Sequence, residues 1–163
     1  MNDLISIIGI GIGATALTDL WGLARRPLLG VPPPDYGLVG RWFAHMMHGR
    51  FRHEAIARAS AMRGEGLLGW SAHYLIGIVY ATLLVLWQGP VWLRQPTLAP
   101  ALVIGIATAA APFLLMQPGM GAGIAASRMP RPWHARIQTL LMHTVFGLGL
   151  YASAAGICLL SAA

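Results

Sequence analysis

Four apolar runs, at about residues 4–24, 67–88, 97–118 and 137–160, decide what this chain can fold into. Crossing the hydrocarbon of a bilayer takes roughly 17–25 mostly apolar residues as a helix, and each run is of that length. Asp19 is the only formally charged residue in any of them. Outside the runs little remains to cover a soluble surface: 10% of the 163 residues are charged and 56% are hydrophobic. Soluble domains carry about 25% and about 45–50%. The fold class is therefore an all-α integral membrane protein. Four transmembrane helices form a bundle in a single membrane domain, residues 1–163, with loops 25–66 and 119–136 on one side.

The charge is unevenly placed. The chain has eleven arginines and no lysine. Ten of the eleven (25, 26, 41, 50, 52, 58, 63, 128, 131 and 136) fall in or beside those two loops, and only Arg94 lies on the other side. The positive-inside rule then puts both loops in the cytoplasm and both termini outside. The net charge of +6 reads as topology plus contact with anionic lipid headgroups, not as nucleic-acid binding. Trp21 and Trp70 are expected at the inner interface, Trp87 and Trp92 at the outer one. The start, "MNDLISII", has no basic n-region, so the first run is expected to remain as a helix. The single Cys158 leaves no intramolecular disulfide and no CxxC pair.

Gly9, Gly11 and Gly13 look like a nucleotide-binding GxGxxG. That fingerprint needs a preceding strand and a soluble crossover unit, so close helix packing through the GxxxG pair Gly9 and Gly13 is the expectation. In the long loop, "RPLLGVPPPDYG" cannot be helix, because consecutive prolines remove amide donors and favour an extended path. Beyond it Val39, Trp42, Phe43, Met46 and Met47 recur at helical spacing among basic residues. This predicts an amphipathic helix on the inner leaflet, with a second short helix over 53–62. Pro112 and Pro118 predict a kink and a break in the third span. A repeat is also visible. "AHYLIGIVYA" matches "MHTVFGLGLYA", and "GIGATA" matches "GIATAA", as a parallel two-plus-two duplication would leave them.

The main candidate site follows from depth. Asp19 lies six residues inside Arg25, about 9 Å along a helix. His73 lies seven residues after Gly66, His143 seven after Arg136, and Gln117 ends the third run. All four residues share one level near the cytoplasmic boundary. A carboxylate in hydrocarbon must face the bundle interior and find partners, and His73 and His143 are the expected ones. Gly69 and Gly77 flank His73, and Thr139 and Gly147 flank His143, leaving room beside each ring.

Two further groups stand out. His45, His48 and His53 in "HMMHGRFRH" are weak candidates for a shared metal. Arg25, Arg26, Arg128 and Arg131 are candidates for a lipid phosphate, with the glycine amides of "PGMGAGIAASRMPRP" as a cradle. No soluble-enzyme motif occurs: GxSxG, HExxH and Walker A are all missing from the sequence.

At "IGATALTDLWGLARRPLLGVPPPDYGLVGRW", "GLLGWSAHYLIGI", "APFLLMQPGMGAGIAASR" and "HTVFGLGLYA" the chain resembles a domain-of-unknown-function family of small four-helix proteobacterial inner-membrane proteins. The resemblance spans nearly the full length. It implies a proteobacterial inner-membrane location and supplies no activity; with the arginine bias, the outward-facing termini would then be periplasmic. Several functional readings stand side by side. One is a small transporter using Asp19, His73, Gln117 and His143 for a proton or solute. Another is a haem b or metal protein with His73 and His143 as ligands. The others are a lipid-linked enzyme or lipid-phosphate-binding accessory, and a structural subunit of a homodimer or larger membrane complex.

Overall fold

A computed structural model describes residues 2–162. It is all-helical, with no strand among the described residues. We number five helices: α1 (Asp3–Leu29), α2 (Tyr36–Met46), α3 (Glu65–Gln88), α4 (Leu98–Met120) and α5 (Pro132–Ala162). All but α2 are long and apolar enough to cross a membrane. Their outer faces carry bare leucines and isoleucines, among them Leu20, Leu75, Leu86 and Leu160, each more than half exposed. Soluble monomers seldom expose contiguous apolar area on this scale. The four apolar helices suggest a multi-pass membrane protein.

Two helix ends lie beyond the apolar runs that predicted them. α1 continues past residue 24 through Arg25, Arg26 and Pro27, because arginine is a good helix former and a proline in the last turn frees only one carbonyl. It stops at Gly30, which takes the left-handed conformation (φ 67°) and donates its N–H to the Arg26 carbonyl. α5 starts at Pro132 rather than 137, since proline suits the first turn of a helix. α4 is α-helical over Leu98–Ala107, opens into a π turn at Pro112–Met116 and closes with Gln117–Met120. The wide turn absorbs the missing amide and bulky ring of Pro112.

The chain divides into two compact units, Met1–Pro33 with Tyr74–Thr108 and Leu141–Ala163, and Pro34–His73 with Ala109–Leu140. The first unit holds the core: Ile10, Leu84 and Leu150 are fully buried beside Ala14, Ala81, Ala101 and Ala154. Small residues let helix backbones approach closely, the usual solution between membrane helices. A Cβ on Gly11 would lie 2.5 Å from Ile78 Cα, and one on Gly105 would lie 2.6 Å from Gly147 Cα. The expected Gly9 and Gly13 packing is present as well, against Ile157 and Ser153 of α5. Trp92 is buried in this core and donates to the Thr97 carbonyl at 3.3 Å. It therefore does not belong to an outer aromatic belt, whereas Trp70 and Trp87 are exposed.

The second unit corrects two expectations. Residues 53–62 form a single 3-10 turn, Ile56–Arg58, not a second helix. α2 does not give its whole apolar face to lipid. Its N-terminus is capped by Asp35 through Leu38 N–H, and it buries Gly40, Trp42, Ala44 and His45 against protein. The Trp42 ring fills the space left by Gly119, where a Cβ would sit 2.7 Å from the indole, and its N–H donates to the Phe51 carbonyl at 3.0 Å. Met47 stays outside, 81% exposed.

Candidate functional site

The four residues predicted to share a level divide two and two: Asp19 and His143 belong to the first unit, His73 and Gln117 to the second. α1 carries Asp19 one turn beyond Thr15, and Thr15 and Thr18 return their hydroxyls to the Gly11 and Ala14 carbonyls of their own helix. The Asp19 carboxylate accepts a hydrogen bond from the Tyr74 hydroxyl of α3 at 3.0 Å. Tyr74, the neighbour of His73 in "AHYLIG", is a partner of Asp19 that sequence reasoning missed.

His143 does not take its hydrogen bond from Asp19. Its Nδ1 lies 3.1 Å from the Gly105 carbonyl and 3.1 Å from Thr108 Oγ1, while that hydroxyl donates to the same carbonyl at 2.7 Å. A carbonyl oxygen only accepts. The proton of the neutral ring therefore sits on Nδ1, shared between Gly105 and Thr108, and Nε2 keeps its lone pair. The Gly105–Gly147 contact sets this geometry, because it brings the α4 backbone within reach of a ring four residues before Gly147.

In the second unit His73 stacks on Tyr36, with ring centroids 4.0 Å apart, and meets the edge of Trp70 at 6.0 Å. Gln117 donates from Nε2 to Thr139 Oγ1 at 3.3 Å, and its buried Oε1 has no partner among the described residues. The three weak metal candidates do not assemble into a ligand set. His45 is buried and donates from Nε2 to the Ser60 carbonyl at 3.0 Å; His48 is exposed and uses Nδ1 on the Ala44 carbonyl at 2.9 Å. His45 and His53 meet edge to face at 4.9 Å, and no group of three His, Cys, Asp or Glu residues able to hold a metal occurs among the described residues.

The lipid-phosphate arginines also separate. Arg25 is buried and donates to the Pro32 carbonyl at 2.6 Å, so it serves the polypeptide, whereas Arg26, Arg128 and Arg131 are exposed. In the glycine-rich loop the N–H groups of Gly121, Ala122, Ala126, Ser127 and Arg128 are spent on carbonyls within residues 117–124, which leaves them no part in an anion cradle. The loop nevertheless stores strain, since Ala125 and Ala126 adopt positive φ (47° and 58°), a conformation that costs a residue with a Cβ. Its position is fixed by Arg136, which donates from Nε to the Ala125 carbonyl at 2.8 Å.

One ion pair that the sequence did not announce holds α2 in the second unit. Arg41 grips Glu65 with two parallel bonds, Nε to Oε2 at 2.8 Å and Nη2 to Oε1 at 2.7 Å, while Glu65 also accepts from Met62 N–H at 2.8 Å. Arg41 further reaches the Ala59 carbonyl at 3.2 Å. The fork matches the carboxylate geometrically, and the bond to Glu65 raises the Arg41 pKa above its ordinary value.

The two most distinctive stretches behind the family resemblance, "PPPDYGLVGRW" and "QPGMGAGIA", meet in this unit. Trp42 lies on Gly119, and His53 N–H donates to the Gly119 carbonyl at 2.9 Å. A family model for proteins of unknown function (DUF2938) matches residues 8–157, in agreement with the resemblance. No curated protein and no solved structure matches the chain.

Proposed function

We propose that this chain, which belongs to the family of proteins of unknown function DUF2938, is a small inner-membrane permease-like protein whose working groups are Asp19, Tyr74 and His143. The observation that carries the reading is the 3.0 Å bond from Tyr74 to Asp19, set between long apolar helices. An ionisable residue in such a position is costly, and proton or solute handling is its usual role. A phenol donates to a carboxylate and accepts from a carboxylic acid, so this pair keeps its bond while Asp19 gains and loses a proton. His143, with its proton held on Nδ1, offers Nε2 as a base. The ten clustered arginines orient the protein with loops 25–66 and 119–136 in the cytoplasm and both termini in the periplasm.

Proteoliposomes with a trapped pH dye and an imposed membrane potential test this. Wild-type protein is expected to pass protons, Asp19→Asn to lose that flux at least ~10-fold (about 1.4 kcal/mol of barrier), and Tyr74→Phe to lose part of it. Wild-type flux no faster than that of empty vesicles sinks the proposal. One observation favours a second reading, His143 as a ligand of haem b or a metal: a ligating histidine commonly donates its other ring N–H to a backbone carbonyl. A Soret band that shifts with dithionite and is lost in His143→Ala would select that reading over the first.

A further inference from the structure

The loop cluster of the second unit encloses a pocket of ≈ 360 Å³ that the proposed transport does not use. Its wall is two-sided. Arg52, His53, Ser127 and Arg128 supply cations and polar groups, and Leu114 and Ile124 supply an apolar rim. Both guanidiniums are exposed, and neither is held by a hydrogen bond or ion pair to a described residue. This contrasts with Arg25, Arg41 and Arg136, each of which spends at least one donor on a carbonyl or on Glu65. Leu114 is 59% and Ile124 62% exposed, so the rim opens outward beside the basic pair. In the same wall the buried Nε2 of His53 has no partner among the described residues, a vacancy that buried polar atoms seldom keep. A volume near 300 Å³ is at the small end of ligand pockets, suited to a headgroup and not to a whole lipid.

We infer that this pocket binds the phosphate headgroup of an anionic phospholipid, with Arg52 and Arg128 on the phosphate and the acyl chains running out over Leu114 and Ile124. The chemistry is complementary on both sides. Paired arginines recognise phosphate oxygens through planar forks, and the apolar rim has no use for a free inorganic ion. Leu114 belongs to the π turn of α4 and Ile124 follows the end of that helix, where a spanning helix meets headgroups. The inference rests on the chain spanning a bilayer and not on Asp19, so the flux assay and the lipid assay fail separately.

The test uses the full-length protein in detergent, with native mass spectrometry reading bound lipid during titration with phosphatidylglycerol, phosphatidylcholine or inorganic phosphate. Phosphatidylglycerol is expected to bind at least ~10-fold more tightly than phosphatidylcholine. The double variant Arg52→Gln with Arg128→Gln is expected to abolish that preference. Arg26→Gln with Arg131→Gln removes the same charge from exposed positions outside the pocket wall and is expected to keep it. Melting curves without lipid check that both variants are folded. Equal binding of the two lipids overturns the inference, as does an equal loss in the Arg26 and Arg131 variant. Displacement of phosphatidylglycerol by an equal concentration of inorganic phosphate overturns the lipid assignment in favour of a soluble phosphate ligand.

Discussion

At the crossing of α1 and α3 the backbones meet at Gly11 and Gly77, and at the crossing of α4 and α5 they meet at Gly105 and Gly147. The parallels continue outward from each pair. Thr15 returns its hydroxyl to the Gly11 carbonyl at 2.8 Å, and Thr108 returns its own to the Gly105 carbonyl at 2.7 Å. A histidine stands four residues before the second glycine in each case, His73 and His143. These contacts repeat what the paired motifs "GIGATA"/"GIATAA" and "AHYLIGI"/"MHTVFGL" proposed. What differs is the polar dressing. Eight residues past its glycine, α1 carries Asp19 bonded to Tyr74, whereas α4 carries Phe113 inside the π turn. Next to its histidine, α3 has Tyr74 and α5 has Thr144. His143 turns its Nδ1 to the neighbouring helix, while His73 stacks on Tyr36. Small residues fix the crossing, and a few substitutions around it decide whether a charge is hosted there.

The equivalence breaks most easily at the glycines. A Cβ at Gly11 falls 2.5 Å from Ile78 Cα, and one at Gly105 falls 2.6 Å from Gly147 Cα; neither backbone can step aside without moving a helix. Overpacking typically costs 1–3 kcal/mol. Leucine at either site is expected to cost about 3 kcal/mol or more, read as loss of the folded fraction in denaturant titrations in mixed micelles. A crossing that tolerates leucine while the other does not would end the comparison. A smaller effect sharpens it. Thr108→Val strips the hydroxyl that shares the His143 proton, and a cost of about 0.6–2 kcal/mol is expected, as for hydrogen bonds between membrane helices. Thr15→Val removes a hydroxyl that bonds only its own helix, and should cost less than Thr108→Val in the same titration.

The spans were legible because a bilayer imposes length and composition directly on the sequence. Their ends were less so. Arg25 and Arg26 leave an apolar run without leaving a helix, and Pro132 starts one before the apolar run begins. Asp19 was legible as an outlier, since a lone charge in hydrocarbon demands a reason. The Tyr74 hydroxyl bonded to it was not, because spacing fixes depth along a helix but not rotation about it. Trp42 shows a second limit. An apolar stripe at helical spacing reads the same whether it meets lipid or protein, and nothing local in "YGLVGRW" announces that Gly119, far along the chain, leaves a space for the indole. The loop amides show a third limit: a glycine-rich segment that can cradle an anion can equally bond itself, as the amides of Gly121, Ala122, Ala126, Ser127 and Arg128 do.

The charge hosted at the first crossing gives the next test. Asp19→Asn and Tyr74→Phe, singly and together, form a double-mutant cycle. A coupling of about 0.6–1.7 kcal/mol is expected for a bond within the membrane. A coupling indistinguishable from zero would mean that the dressing is not what separates the crossings.

The smallest effect lies outside the spans and serves as a control on all of these. Partial burial, followed by the nearby His45 and Arg50, lowers the pKa of His53 below its ordinary value, which is about 6.5. The folded chain therefore binds that proton less readily than the unfolded chain. Above about pH 6.5 neither state is protonated and His53 is neutral in its effect. As pH falls from there toward the lowered folded-state pKa, the unfolded state takes up more protons and stability declines. Melting temperature is expected to drop modestly between pH 8 and pH 5, and His53→Gln should flatten that slope. Gly11→Leu should lower the melting curve at every pH without altering its slope, because a Cβ there meets first the Gly77 and Ile78 backbone. A slope that changes in Gly11→Leu and survives in His53→Gln would place the acid sensitivity at the crossing instead.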